Sequence, residues 1–173
     1  MEIKIHRGLE QIGGCITEIS TATSRVFIDL GQNLPGNGVE QTPEQDKLMI
    51  ENLFKSNKKE NEAVFYTHGH EDHIGGISFL LQNVNIPVIY TPKIAADLIK
   101  HKLEDRNIHY DNLEIINEES YLKFKHFEVE FVNTTHSIPD SFALAIHTPN
   151  GIIFETGDFK FDLTPIGPMA DIH

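Results

Sequence analysis

The apolar positions of this 173-residue chain switch between an alternating and a helical period, and the switches mark out its elements. Residues 12–19, with a glycine pair and β-branched side chains, read as a strand. Residues 25–30 (Arg25-Val26-Phe27-Ile28-Asp29-Leu30) follow after a polar turn at 21–24, so the two predict a β-hairpin. After a Gly/Pro/Asn loop at 31–42, Pro43 opens a segment in which Leu48, Met49, Leu53 and Phe54 recur at helical spacing, and proline suits a first helical position. Residues 63–67 (Ala-Val-Phe-Tyr-Thr) are a short buried-strand signal that runs directly into His68-Gly69-His70-Glu71-Asp72-His73-Ile74-Gly75-Gly76. Beyond it the pattern predicts a helix at 76–82, a strand at 87–90, a helix at 92–103 and several strands across 113–154. Two βα units followed by a run of strands predict a mixed sheet covered by helices, with functional residues at strand ends and in the loops after them. Residues 165–173 read as loop, without a closing helix or strand, as in a segment of a longer protein.

Composition narrows the class. With 39 % hydrophobic and 23 % charged residues, 12 Gly and 8 Pro, the chain is neither disordered nor collagen-like, and residues 1–173 are expected to belong to one folded domain. It shows no signal-peptide pattern and no run of apolar residues that would span a bilayer, so a soluble, cytoplasmic protein without a membrane partner is expected. The single cysteine, Cys15, has no disulfide partner and reads as packing. Fourteen Lys and Arg stand against 26 Asp and Glu, a formal net charge of −12 that by itself disfavours a nucleic-acid partner. An acidic cluster holding divalent cations is, however, far less negative than its formal count. Ten histidines make that possibility the central question.

The string His68, His70, Asp72, His73 has ligand spacing. In an extended segment, residues two apart face one side, so His68 and His70 can grip one metal ion together. A turn into a helix would then redirect Asp72 and His73 toward a second, adjacent ion. Gly69, Gly75 and Gly76 are expected where the backbone bends or approaches the ions. Two later strand ends carry further ligands: His136 is placed to complete the first ion's site, and Asp158 to bridge the two ions with its carboxylate oxygens. Asp29, at the end of an apolar strand, is a natural acceptor to fix a ligand histidine's tautomer. His6, His101, His109, His126 and His147 lack ligand-spaced neighbours and read as structural. Lys160 is a substrate-phosphate contact or a solvated strand-end lysine, and Ser137 a hydrogen-bonding support for the site.

Three strings carry a resemblance: the histidine string at 68–73, Thr-His-Ser-Ile-Pro-Asp-Ser at 135–141 and Thr-Gly-Asp-Phe-Lys-Phe-Asp at 156–162. Together they resemble the metallo-β-lactamase fold, specifically its β-CASP branch typified by ribonuclease J. The resemblance implies an α/β architecture, the αββα sandwich, with His68, His70 and His136 on one zinc, Asp72 and His73 on the other, and Asp158 bridging. It also implies an incomplete sandwich, because such proteins continue into a β-CASP domain and return to finish the first domain with a last histidine ligand. Terminal His173 could in principle replace that ligand, although a structural role is the more ordinary reading for it.

The implied activity is that of a metal-dependent hydrolase, a ribonuclease acting as exonuclease, endonuclease or both on single-stranded RNA. Two divalent ions, zinc or alternatively manganese, would activate a water, while Asp72 and Asp158 orient it and accept its proton. The longer protein has room for homo-oligomerisation, and the isolated chain is expected to cleave little RNA. Two other readings use the same residues: hydrolysis of a small ester, thioester or lactone, and a catalytically silent scaffold subunit of an RNA-processing complex.

Overall fold

Strand pairing in the computed structural model, which describes residues 1–34, 36, 42–86, 88–162 and 164, begins with the expected hairpin. Strand β2 (Ile16–Ser20) pairs antiparallel with β3 (Ser24–Ile28), Thr17 opposite Ile28 and Ser20 opposite Arg25. β2 is shorter than expected because Gly13 and Gly14 have φ of +80° and +68°, a left-handed backbone that cannot continue a strand. An edge strand that the pattern reading passed over, β1 (Glu2–Arg7), pairs antiparallel with β2. Its signal was the alternation of Ile3 and Ile5 with Glu2, Lys4 and His6.

Three βα crossovers extend this sheet in parallel. Helix α1 (Pro43–Lys55) leads to β4 (Asn61–Phe65), the short α2 (Glu71–Ile74) and α3 (Ile77–Asn83) lead to β5 (Ile89–Pro92), and α4 (Lys93–Glu104) leads to β6 (Leu113–Ile116). Pro43 opens α1 as expected, and Thr42 caps it in a capping box with Gln45. The six strands run in the order β1-β2-β3-β4-β5-β6. The expected loop residues 37–41, Pro87 at the expected strand start, and the 165–173 loop with His173 lie outside the described residues.

The remaining strands do not join this sheet, which corrects the single mixed sheet that the pattern suggested. β7 (Tyr121–Lys123), β8 (Glu128–Thr134), β9 (Ser141–Thr148) and β10 (Gly151–Glu155) form a second, antiparallel sheet of order β10-β9-β8-β7. Short turns join neighbouring strands, so each pairs with the next in sequence. Their inward residues Val129, Phe131, Phe142, Leu144 and Ile146 pack on Ile19, Val26, Ile28 and Phe65 of the first sheet. The other face of the first sheet, with Phe27, Val64, Tyr66 and Ile89, packs on Ile50, Phe54, Ile77, Leu80, Ala95 and Ile99 of the helices. With both faces covered, the last three residues of β3 (Val26, Phe27, Ile28) and of β4 (Ala63, Val64, Phe65) are continuously apolar.

The layers are therefore helix, sheet, sheet. Among the described residues no helix covers the outer face of the second sheet, where Ile152 and Phe154 are 63 % and 55 % exposed, so the sandwich is incomplete as expected. Nor is any helix of the described residues long and apolar enough to cross a membrane.

Candidate metal centre

Both sheets present the chemistry at one rim. β3 and β4 are parallel, so their C-terminal ends deliver Asp29 and the 66–70 segment side by side, with the Asp29 amide donating to Phe65 O at 2.8 Å. The β8–β9 turn brings His136, and the segment after β10 brings Asp158. One backbone bond ties the sheets together there, Phe142 N–H to Thr67 O (2.9 Å), and a second, Lys160 N–H to Thr135 O (2.7 Å), ties the segment after β10 to the His136 turn on the same sheet. As expected from the string, the chain turns into α2 after His70, whose carbonyl accepts from the amides of His73 and Ile74.

Three histidine nitrogens converge. His70 Nδ1 lies 3.1 Å from His68 Nε2 and 3.0 Å from His136 Nε2. Neutral imidazoles have a lone pair on one nitrogen, and lone pairs that face each other need a cation between them. With metal–nitrogen distances of ~2.0–2.1 Å, the edge of a tetrahedral zinc site is about 3.3 Å, close to the observed spacing. Burial holds the His68 imidazole down to about 3 and also lowers that of His136, so both are neutral at physiological pH.

A second group adjoins the first. His68, His73 and Asp158 offer donor atoms within 4.8 Å of one another. His73 Nδ1 bonds Asp29 Oδ2 at 2.7 Å, which turns Nε2 toward Asp72 Oδ2 (3.7 Å) and Asp158 Oδ1 (3.5 Å). That Nε2 is buried and, among the described residues, has no hydrogen-bond partner, an arrangement that costs free energy unless something charged occupies the space it faces. Burial alone would push the His73 imidazole down, but the Asp29 and Asp158 carboxylates outweigh it and bring it up to about 11. Without an ion, a proton therefore stands at His73. In turn, the His73 cation holds the Asp158 carboxyl down to about 2. Asp158 Oδ2 lies 3.7 Å from His136 Nε2, so its two oxygens face the two groups. The two groups, which share His68, form a donor set that fits divalent metal.

Asp29 lies behind this arrangement. Besides His73 it accepts from Thr67 N–H at 2.9 Å and from the Thr67 hydroxyl at 2.8 Å. Because that hydroxyl donates to Asp29, its oxygen is left to accept from His68 Nδ1–H at 2.9 Å, which directs the His68 Nε2 lone pair into the trio. Thr67 was not singled out as functional in the sequence, although its place before the histidine string was visible.

Gly69, Gly75 and Gly76 lie where protein packs closely, and Gly75 and Gly76 also mark the break between α2 and α3. Added Cβ atoms at Gly69, Gly75 and Gly76 would strike Leu98, the Glu71 carbonyl and the Leu30 carbonyl, so these positions are small because protein packs there, not to admit ions. The tightest approach is elsewhere: a Cβ at Gly31 would lie 1.7 Å from Asp72 O. Cys15 N–H donates to that same carbonyl at 3.2 Å, and Cys15 O accepts from Gly31 N–H at 3.0 Å. Arg7 locks this layer from behind. Its buried guanidinium pairs with Asp46 and donates to Gly14 O (2.8 Å) and Gly31 O (2.6 Å).

The remaining candidates stand apart. His6, His101, His109 and His147 pair with Glu18, Asp105, Asp111 and Glu130, and His126 bonds Thr23. Burial pushes the Cys15 thiol up to about 11, consistent with a packing role. Lys160 pairs with Asp162 at 2.9 Å, and Ser137 is exposed beside His136.

Residues 35–164 match the metallo-beta-lactamase superfamily, and the chain belongs to it. Within that class it is similar to ribonuclease J of Mycoplasma pneumoniae, with 38 % identity over 170 residues, covering 96 % of this chain and 29 % of the relative. The chain thus spans under a third of the length of such curated relatives. Among solved structures, a protein of unknown function from Enterococcus faecalis superposes with a TM-score of 0.69 at 21 % identity, covering 91 % of this chain and 43 % of that one. Human tRNase Z, short form, gives 0.59 at 18 % identity, covering 91 % and 69 %. These two establish the fold.

Proposed function

We propose that residues 1–173 form the metal-bearing N-terminal part of the metallo-β-lactamase domain of a metal-dependent ribonuclease. The observation that carries the reading is the convergence of His68, His70 and His136 beside Asp158, in a chain similar over most of its length to ribonuclease J. His68, His70 and His136 would hold one ion and Asp72 and His73 the other, with Asp158 between them. Two divalent ions, zinc or manganese, would supply Lewis-acid charge to the phosphate oxygens and acidity to water. The chain's own residues do the rest. Asp29 and Thr67 hold the tautomers of His73 and His68. Asp158, ionised and 45 % exposed at its side chain, orients the attacking water. Asp72, beside His73, accepts its proton, while Lys160 would contact a substrate phosphate and Ser137 would support the site by hydrogen bonding.

The substrate of the whole protein is single-stranded RNA in the cytoplasm, and a β-CASP domain supplies the cleft's other wall. That wall must also offset the net charge of −12, which repels RNA at low ionic strength. The whole protein, assayed with zinc or manganese on 5′-monophosphorylated RNA and on a panel of esters and lactones, should cleave RNA and lose that activity on Asp72→Ala. Hydrolysis of the esters with none of RNA would overturn the reading.

A further inference from the structure

Helix α4 starts without a local cap. Pro92 precedes it and contributes no side-chain hydrogen bond, so the first-turn amides look elsewhere for acceptors. One is found 46 residues away: the amide of Ile94 donates to Asp140 Oδ2 at 2.9 Å. Asp140 belongs to the turn between β8 and β9 that carries His136. It holds φ of +64°, a left-handed backbone that aspartate and asparagine tolerate better than other side chains. The same turn is closed locally by the Ser141 hydroxyl, which donates to Ile138 O at 3.0 Å.

The helix that anchors Asp140 also backs the other two histidines of the trio. Gly69, between His68 and His70, is pressed so closely that an added Cβ would lie 2.9 Å from Leu98 Cδ1 and 3.4 Å from Ala95 Cα, both on α4. It would lie 3.3 Å from Ile138 Cδ1, on the His136 turn. The first turns of α4 therefore touch both halves of the trio, which come from different sheets and are more than 60 residues apart in sequence.

We propose that Asp140 is a positioning residue for the metal centre: its carboxylate latches the His136 turn onto the uncapped start of α4, so that one helix sets the distance of His136 from His68 and His70. The proposal rests on the metal reading above. It gives a role to a residue of the Ser-Ile-Pro-Asp-Ser string that touches neither the histidines nor the opposing carboxylates. A ligand on an unlatched turn would have to be ordered when the ion binds, and affinity would fall accordingly.

The test uses Asp140→Ala, Asp140→Gly and Asp140→Asn in this chain, with zinc affinity measured by competition against a chromophoric chelator. Amide exchange at Ile94 and the His136 ring signals are followed by NMR in the metal-free state. Alanine and glycine should weaken zinc by about 10-fold or more, the range for residues that support a ligand. Asparagine, which keeps an acceptor oxygen and the backbone conformation, should restore affinity to near that of the parent. Faster Ile94 exchange and shifted His136 signals should accompany the loss. Wild-type affinity in the glycine variant would show that the latch is dispensable and overturn the proposal. Equal losses in all three variants would overturn it too, because the acceptor would then not be what matters. If the parent chain binds no zinc, the metal reading fails, but the latch is still decided by the metal-free signals: unchanged Ile94 exchange and His136 resonances in the alanine variant would overturn it.

Discussion

Replacing Asp29 by asparagine should disable the second group of donors while leaving the fold in place. Asparagine tolerates the left-handed backbone at this position, where φ is +58°, and keeps one oxygen for the Thr67 amide. Its NH2 group, however, then occupies the place of Oδ2, which accepts from the Thr67 hydroxyl at 2.8 Å and from His73 Nδ1 at 2.7 Å. Donor now meets donor. His73 must surrender the hydrogen on Nδ1 and carry it on Nε2, the atom turned toward Asp72 and Asp158, which is the wrong tautomer for a ligand. A hydrogen bond to a charged acceptor contributes ~1.5–3 kcal/mol, and losing the one to His73 corresponds to roughly 10–100-fold in metal affinity. Chelator competition measures that loss. Calorimetry in buffers of different ionisation enthalpy adds a second readout: the parent, with His73 held up near 11, should release a proton from it on zinc uptake at neutral pH, and the variant should release fewer. Affinity and proton release both unchanged would refute the argument that Asp29 sets the state of His73.

Three further outcomes follow from the same geometry. Because the His73 imidazole is raised from 6.5 to about 11, its contribution to the stability of the metal-free chain is complete below pH 6.5 and is lost as pH rises through 11, whereas apparent zinc affinity should climb over that window as the competing proton leaves; melting and chelator titrations across it check both signs. Asp46→Ala leaves the Arg7 guanidinium buried without its partner and should destabilise the chain by about 3–5 kcal/mol in chemical denaturation, with Asp46→Asn costing less. Gly31→Ala forces a methyl group to within 1.7 Å of the Asp72 carbonyl and should cost about 3 kcal/mol or more, visible as loss of the cooperative melt.

How much of this was legible depended on whether a signal was local. The histidine string, the β4 apolar run before it and Pro43 at the start of α1 each announce themselves within a few residues, and the structure places them as read. Asp29 was recognisable as a support because it ends an apolar strand, and it bonds His73. The strand pattern alone did not separate the second sheet, since alternation reports that a strand has a buried face and not which sheet the strand joins; the αββα sandwich implied by the resemblance did. The start of β2 was misread because the strand pattern and the Gly13–Gly14 turn overlap in sequence. Arg7 and Asp46 carry no local signal, and Asp140, although part of the 135–141 string, carries none for its partner. Their partners lie 39, 39 and 46 residues away, and only the folded chain brings them together.

The donors of the trio are shared between the two sheets, His68 and His70 from one and His136 from the other, at an edge otherwise joined by the Phe142–Thr67 backbone bond. A cation bound there would act as a clasp across the mouth of the sandwich, and the folding equilibrium would become a gauge of free ion concentration. At a hundredfold excess of free ion over the dissociation constant, the clasp adds ~2.7 kcal/mol, a large share of the stability of an ordinary domain. Chelation should therefore loosen the rim first, with exchange spreading from Thr67 and Phe142 while the Phe27, Val64 and Ile99 core stays protected. Scarcity of the ion would then set how much folded protein a cell retains, before any question of turnover arises.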